Sequence, residues 1–361
     1  MRILQVCHRF PPHPGGIEYH VQRLSRFLAS EGHEVTVLTT SRGRTGVWEE
    51  EGYTVVRLRS HLEPLRNPLP LGLPLISSRM LRGFDIVHMH SVYTFTTLMV
   101  YPFTEKSRVV ITLHGRAFYR GLAHLLAALH ERISFRIVRG AAAFIALNEA
   151  DAGLMVRRGI DPERVRLIPN FVDVEEMDRI VRRSEPVEGE GDPQLMFVGG
   201  LVDAKNLESL LIDLREVSDR ASLWVVGDGP LRGRLERLAR GMRVRFLGRL
   251  SREEWIPYAM GSDAVILPSK SEGFPTIVLE AMAIGRPVIL SSTEVHRRLF
   301  GESAIFYEPG VRGSLSGALR MLGSEDLREM LRRNRRLVEE RYDVRVVGRR
   351  ILDLYGELRG G

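Results

Sequence analysis

Two glutamates with seven residues between them, Glu272 and Glu280, bracket a short stretch that has the makings of a ligand site. An apolar run, Ala264–Leu267, is bounded by Asp263 and Pro268 and reads as a buried strand. A polar turn follows, Ser269-Lys270-Ser271-Glu272-Gly273. A helix is expected from Pro275-Thr276, with proline at the first helical position, to a C-capping Gly285. Pro287–Leu290 reads as the next strand. In a strand–turn–helix–strand unit the turn is where an open α/β sheet binds ligands. Backbone N–H groups at a helix start suit a phosphate. Carboxylates serve that anion badly but accept well from sugar hydroxyls. The combination points to a nucleotide sugar.

Other residues carry the same kind of signal. Val109–Leu113 reads as a strand ending in His114-Gly115, which puts a histidine at the ligand end of the sheet. Near the start, Gly15-Gly16 follows a short strand, Ile3–Cys7, and lets backbone approach a ligand closely. His13 and His20 read as loop and surface histidines. His88 and His90 alternate with apolar residues, and His90 is a cleft-lining candidate. Gly199-Gly200 follows the apolar run Leu195–Val198, with Lys205 a few residues on.

The elements that must position these residues alternate between strand and helix. Strands are expected at Glu34–Thr39, Tyr53–Leu58, Phe84–His90 and Phe144–Leu147 in the first half. In the second they fall at Leu223–Val226, Val244–Leu247 and Ala304–Tyr307. Helices fit Glu18 to about Ser30, 120–139 and 150–158. The Pro-rich stretch 61–75 holds Leu65, Leu69, Leu71, Leu73 and Leu75, and reads as a loop packed on its own apolar core, or as an acceptor or lipid contact. Residues 184–194 are acidic and turn-rich and read as an inter-domain linker.

The segment PS-x-x-EGF-P-x-x-x-LEAMA-x-G-x-PV resembles the E-x7-E signature of retaining family-4 glycosyltransferases of the GT-B fold. Other segments resemble the same family: PP-x-x-GG-x-E at the start, T-x-HG at His114, VGGL-x-x-x-KN at 198–206, G-x-GP at 227–230 and IPN-x-VD at 168–173. The resemblance implies two facing Rossmann-like domains, α/β throughout, with an interdomain cleft. The first domain is expected over 1–175 and the nucleotide-sugar-binding domain over 195–341. The C-terminal helix, 342–361, is expected to cross back to the first domain.

The resemblance also implies roles. Glu272 and the backbone of Gly273, Phe274, Pro275 and Thr276 hold the donor sugar, although Pro275 has no N–H to give. Glu280 takes the ribose. Lys205, beside Gly199, meets the diphosphate, which Gly16 faces from the other domain. Leu250 touches the base, and His114 reaches the donor sugar. Glu272, His114 and Lys205 are thus the catalytic candidates. Retention of configuration is expected through an oxocarbenium-like state, with no covalent nucleophile. Three departures stand out. Gly200 occupies a position where the family carries arginine, with Arg249 a candidate substitute. Phe171 replaces a glycine. Ser291–His296 (SSTEVH) replaces GG-x-PE.

Composition narrows the classes. The chain has 361 residues, 44% of them hydrophobic, which fits two globular domains. Its single cysteine, Cys7, fits a reducing compartment. No leader-like segment is expected, and no apolar run reaches the roughly 18–20 residues of a membrane span. A cytoplasmic location is expected, free or peripheral on the inner face of the membrane. The net charge of +7, with 49 Arg and only three Lys, suits an anionic membrane surface or a phosphorylated acceptor. No nucleic-acid-binding motif occurs, and neither a D-x-D nor a zinc spacing. The expectation is a metal-independent hexosyltransferase with no cofactor beyond a nucleotide-diphospho-sugar and with a hydroxyl acceptor, lipid or glycan. A non-catalytic nucleotide-sugar binder and a GT-B nucleotide-sugar epimerase stand as alternatives. A dinucleotide oxidoreductase is disfavoured because the glycine fingerprint is incomplete.

Overall fold

The computed structural model describes residues 1–360 except 14, 61, 65, 66, 71–80, 82 and 116–121. The chain divides into two compact units: Met1–Phe171 with Val344–Gly361, and Val172–Asp343. Each is a mainly parallel sheet flanked by helices.

In the first unit the strands are Arg2–Val6 (β1), Glu34–Ser41 (β2), Gly46–Glu50 (β3), Tyr53–Arg59 (β4), Ile86–His90 (β5), Val109–Leu113 (β6), Ala143–Ala146 (β7) and Val165–Leu167 (β8). Their order across the sheet is β3-β4-β2-β1-β5-β6-β7-β8. Among these described strands only β3 pairs antiparallel, to β4. It was not among the expected strands, because Val47 and Trp48 are exposed on a sheet edge and leave no apolar run to read. Buried on both faces, β6 is nearly all Val, Ile and Leu, as parallel sheets favour, whereas β5 places His88 and His90 among its buried residues. The helix Gly16–Ser30 covers one face through Val21, Leu24, Phe27 and Leu28. The helix Val344–Gly360 lies against it so closely that a Cβ on Gly348 would strike the Phe27 ring. Glycine there is a packing requirement. Phe171 is not among the residues with left-handed backbone. Its ring is buried and lies 4.5 Å, centroid to centroid, from His20.

The second unit holds Gln194–Val198 (β9), Ser222–Val226 (β10), Val244–Gly248 (β11), Ala264–Leu267 (β12), Val288–Ser291 (β13) and Ile305–Tyr307 (β14). Its order is β11-β10-β9-β12-β13-β14, all parallel. That is the doubly wound order of mononucleotide-binding halves, with its switch point between β9 and β12.

The expected linker, 184–194, is not a linker. Val187 N–H donates to the Pro257 carbonyl (3.0 Å) and Asp192 N–H to that of Arg220 (3.0 Å), so the segment packs inside the second unit. The helix Val174–Arg183 belongs there too, burying Val174, Met177 and Ile180. The first unit therefore ends at Phe171 rather than 175, and the second begins at Val172 rather than 195. An acidic, turn-rich composition reports exposure to water, which a surface segment of one domain shares with a linker. Of the apolar loop 61–75, Leu65, Leu71, Leu73 and Leu75 lie outside the described residues, and Leu69 is half-buried.

Candidate active site

The loops after β9 and β12 meet at the switch point of the second unit. Lys205 comes from the first and Glu272 from the second, and Lys205 Nζ donates to Glu272 Oε1 at 2.6 Å. Both are partly exposed, at 23% and 13% of their side chains, so the pair faces solvent rather than the core. An ammonium group has three donors. One is spent on Glu272, and the others can meet a phosphate. Gly199 lies against the lysine stem: a Cβ there would sit 3.6 Å from Lys205 Cε and 3.2 Å from the Phe197 ring. Gly227, at φ +132°, packs under the Gly199 carbonyl, so the GDGP turn shapes this loop from below. At Gly200 a Cβ would meet open space, so room for a side chain exists there. Arg249 is exposed and only loosely paired, 4.0 Å from Asp228. Leu250 beside it is half-buried.

The helix after Glu272 runs Thr276–Ala283 with Pro275 as its N-cap, one position before the expected one. No side chain caps it. Phe274 is turned inward, against Phe300 (5.7 Å) and Tyr342 (5.6 Å), so it offers a ligand only its backbone. Glu280 is 5% exposed on an otherwise apolar helix. Arg252 Nε (2.9 Å) and Nη2 (2.7 Å) both donate to its Oε1. The sequence reading missed Arg252. A glutamate inside TIVLEAMA demands a buried cation, but nothing in the spacing says which of 49 arginines supplies it. Arg252→Ala should destabilise the protein by about 3 kcal/mol, because it strands a buried carboxylate. Arg249→Ala should be nearly neutral. Urea denaturation of the two variants checks the contrast.

The SSTEVH departure brings in His296, which is fully buried. Its Nδ1–H donates to the Ser291 carbonyl (2.9 Å), leaving Nε2 buried without a partner. It feels the charges of both Glu272 and Lys205, and burial lowers its pKa.

In the first unit the strand ends carry a histidine cluster. His88 and His90 sit on β5, His114 follows β6, and His20 comes from the helix Gly16–Ser30. His20 is buried, not on the surface as expected, and lies 4.7 Å from the His114 ring. The missed signal was periodicity, since His20, Leu24, Phe27 and Leu28 share one helical face. His90 Nδ1 and His114 Nε2 are 3.0 Å apart. Burial pushes His20 down to about 4 and His88 to about 3, and holds His90 and His114 well below the usual range. At the glycine loop the steric demand falls on Gly15, where a Cβ would strike the buried Glu18 carboxylate. Gly16, beside it, faces open space.

Two doubly wound sheets, with the Lys205–Glu272 pair at the switch point of the second, define a GT-B protein. The Glycosyltransferase Family 4 model matches residues 14–176, and the Glycosyl transferases group 1 model matches residues 192–325. The chain belongs to this glycosyltransferase family, whose members move a sugar from a nucleotide sugar. It is 27% identical over 365 residues to the sulfoquinovosyl transferase of Arabidopsis thaliana, covering 93% of this chain and 69% of that protein. It is 26% identical over 396 residues to the phosphatidyl-myo-inositol mannosyltransferase of Mycobacterium tuberculosis, covering 100% and 98%. In structure it is similar to sucrose-phosphate synthase from Thermosynechococcus elongatus, with a TM-score of 0.80 at 19% identity over 99% of both chains. Anabaena HepE in complex with UDP and glucose gives 0.75 at 17%, again over 99% of both. The two structures speak to fold alone.

Proposed function

We propose that this glycosyltransferase moves a hexosyl unit, with retention of configuration and without a metal, from a nucleoside-diphospho-sugar to a hydroxyl of a lipid or lipid-linked glycan. The observation that carries the reading is the Lys205–Glu272 pair at the switch point, beside the uncapped start of Thr276–Ala283. Lys205 and the helix start take the diphosphate, with Arg249 as a second cation. Glu280, held by Arg252, accepts from the ribose, and Leu250 meets the base. Glu272 and the backbone of Gly273–Thr276 hold the sugar. The anomeric C–O bond breaks, and the electron pair leaves on the diphosphate. The acceptor oxygen bonds to the anomeric carbon on the face just vacated, and its proton passes to the departing phosphate oxygen. Lys205 stabilises the charge that grows on that leaving group.

A lipid acceptor is supported by the helix Leu122–Val138. Leu125, Leu126, Leu129, Ile133 and Ile137 are exposed there, Arg132 and Arg136 are exposed among them, and the exposed Arg139 follows the helix end. Apolar surface interleaved with arginine suits an anionic bilayer. No helix among the described residues is long and apolar enough to cross a membrane. The names of the two relatives above, one a phosphatidyl-inositol mannosyltransferase, are in keeping with this.

The test is incubation of purified protein with each radiolabelled nucleotide sugar and anionic phospholipid vesicles in the presence of a chelator. One donor should label the lipid fraction, and NMR of the product should show the donor's anomeric configuration. Labelling of water-soluble glycans alone would overturn the lipid assignment. Donor binding without turnover would favour the non-catalytic reading that Gly200 invites.

A further inference from the structure

We propose that His20, His90 and His114 form a three-histidine binding site for a borderline-soft divalent cation of the zinc class. All three ligands belong to the first unit, and the site is independent of whether His114 meets a sugar.

One ring nitrogen from each of the three residues lies within 4.8 Å of the other two. The hydrogen bonds around them decide which nitrogens are protonated. Asn170 Oδ1 accepts from Phe171 N–H (3.1 Å), which fixes the amide so that its oxygen faces His20. His20 Nδ1 is 2.8 Å from that oxygen and must therefore donate to it. His20 Nε2 is then a bare lone pair, buried and without a partner. A buried acceptor left unpaired is costly and calls for an occupant.

The same logic runs through Gln5. Its Nε2 donates to Tyr355 Oη (3.3 Å), so its Oε1 is an acceptor. His90 Nε2 lies 2.7 Å from Oε1 and donates to it, which leaves His90 Nδ1 a lone pair. Tyr355 in turn donates to His88 Nδ1 (2.6 Å), and His88 Nε2–H donates to Thr112 Oγ1 (2.7 Å). His88 is thus fully spent and acts as support. His114 Nε2 now shares a proton with His90 Nδ1 at 3.0 Å. A cation takes the place of that proton, which the neutral imidazole then carries on Nδ1 as its other tautomer.

Two of the ligands therefore have the outer partners that metal-bound histidines show, a side-chain oxygen on the far nitrogen. Burial keeps all three neutral, as ligands must be. Three imidazoles with no carboxylate exclude calcium and magnesium, which take oxygen, and suit zinc, cobalt, nickel or copper. Tetrahedral binding at about 2.0–2.1 Å would need His20 to close on the other two by roughly an ångström. His20 and His90 are buried and His114 is half-buried.

The experiment is titration of chelator-treated full-length protein with cobalt chloride, followed by the visible bands of four-coordinate cobalt. One equivalent should bind, zinc should displace it, and magnesium should not. His20→Ala should abolish the band while remaining folded by circular dichroism, and His13→Ala should leave it intact. No band, or a band that survives in folded His20→Ala or is lost in His13→Ala, overturns the proposal. Should His20→Ala not fold, X-ray absorption of the cobalt-loaded wild type decides: three imidazoles support the site, and one or none rejects it.

Discussion

Lys205→Ala should lower transfer turnover by about 10²–10³-fold, the usual effect of deleting one preorganised group that meets developing charge. The expectation rests on what the lysine leaves behind as well as on what it supplies. In the wild type, Nζ neutralises Glu272 at 2.6 Å. Without it, a carboxylate only 13% exposed faces an incoming diphosphate with no cation between them. Nucleoside diphosphate affinity should fall together with turnover. Glu272→Gln separates the two effects, because it removes the repulsion but keeps the ammonium group. It should retain nucleotide binding and lose sugar positioning. Lys205→Arg should restore little, since a planar fork cannot place the same point charge beside Gly199. Steady-state kinetics with the donor named by the labelling experiment, alongside calorimetric binding of the diphosphate, would check all three variants. Wild-type turnover in Lys205→Ala would remove the lysine from the reaction.

The backbone of the site was legible because it is written in local patterns. Ala264–Leu267 is an uninterrupted apolar run between Asp263 and Pro268, and it is β12 to the residue. Thr276–Ala283 follows from proline at its start and glycine after its end. Partners distant in the chain leave no such trace. Lys205 and Glu272 were each singled out, but their pairing across 67 residues follows from strand order, which periodicity does not encode. Arg252 answers a demand visible at Glu280, yet its identity is decided by where the helix Arg252–Met260 begins. The histidine cluster is the extreme case. It joins Gln5, His20, His88, His90, His114 and Tyr355 from five elements; the sequence placed His114 and His90 at strand ends and could have placed His20 on its apolar helix face, but not their meeting. The domain boundary failed for the opposite reason. Residues 184–194 look like a linker locally, and only the backbone bonds of Val187 and Asp192 reveal their allegiance.

Acidification should destabilise the first unit well before its carboxylates titrate. His88, at about 3, and His20, at about 4, are held below the ordinary histidine value by burial. The unfolded chain therefore binds protons that the folded chain refuses. Stability rises with pH in that window, so it is fully present above about pH 6.5 and is lost as pH falls toward the folded values. At about pH 5 the unfolded histidine is charged and the folded one is not, which removes about 2 kcal/mol for each, or about 4 kcal/mol for the pair. Against a typical domain stability of about 5–15 kcal/mol this is a large share. The melting temperature should drop on the order of 10 °C between about pH 7 and about pH 5, with a chelator present. Native-state hydrogen exchange locates the effect: peptides spanning β5 should lose protection on acidification, and those spanning β12 should change less. Equal melting temperatures at the two pH values would mean that His20 and His88 are charged in the folded chain, contrary to their burial.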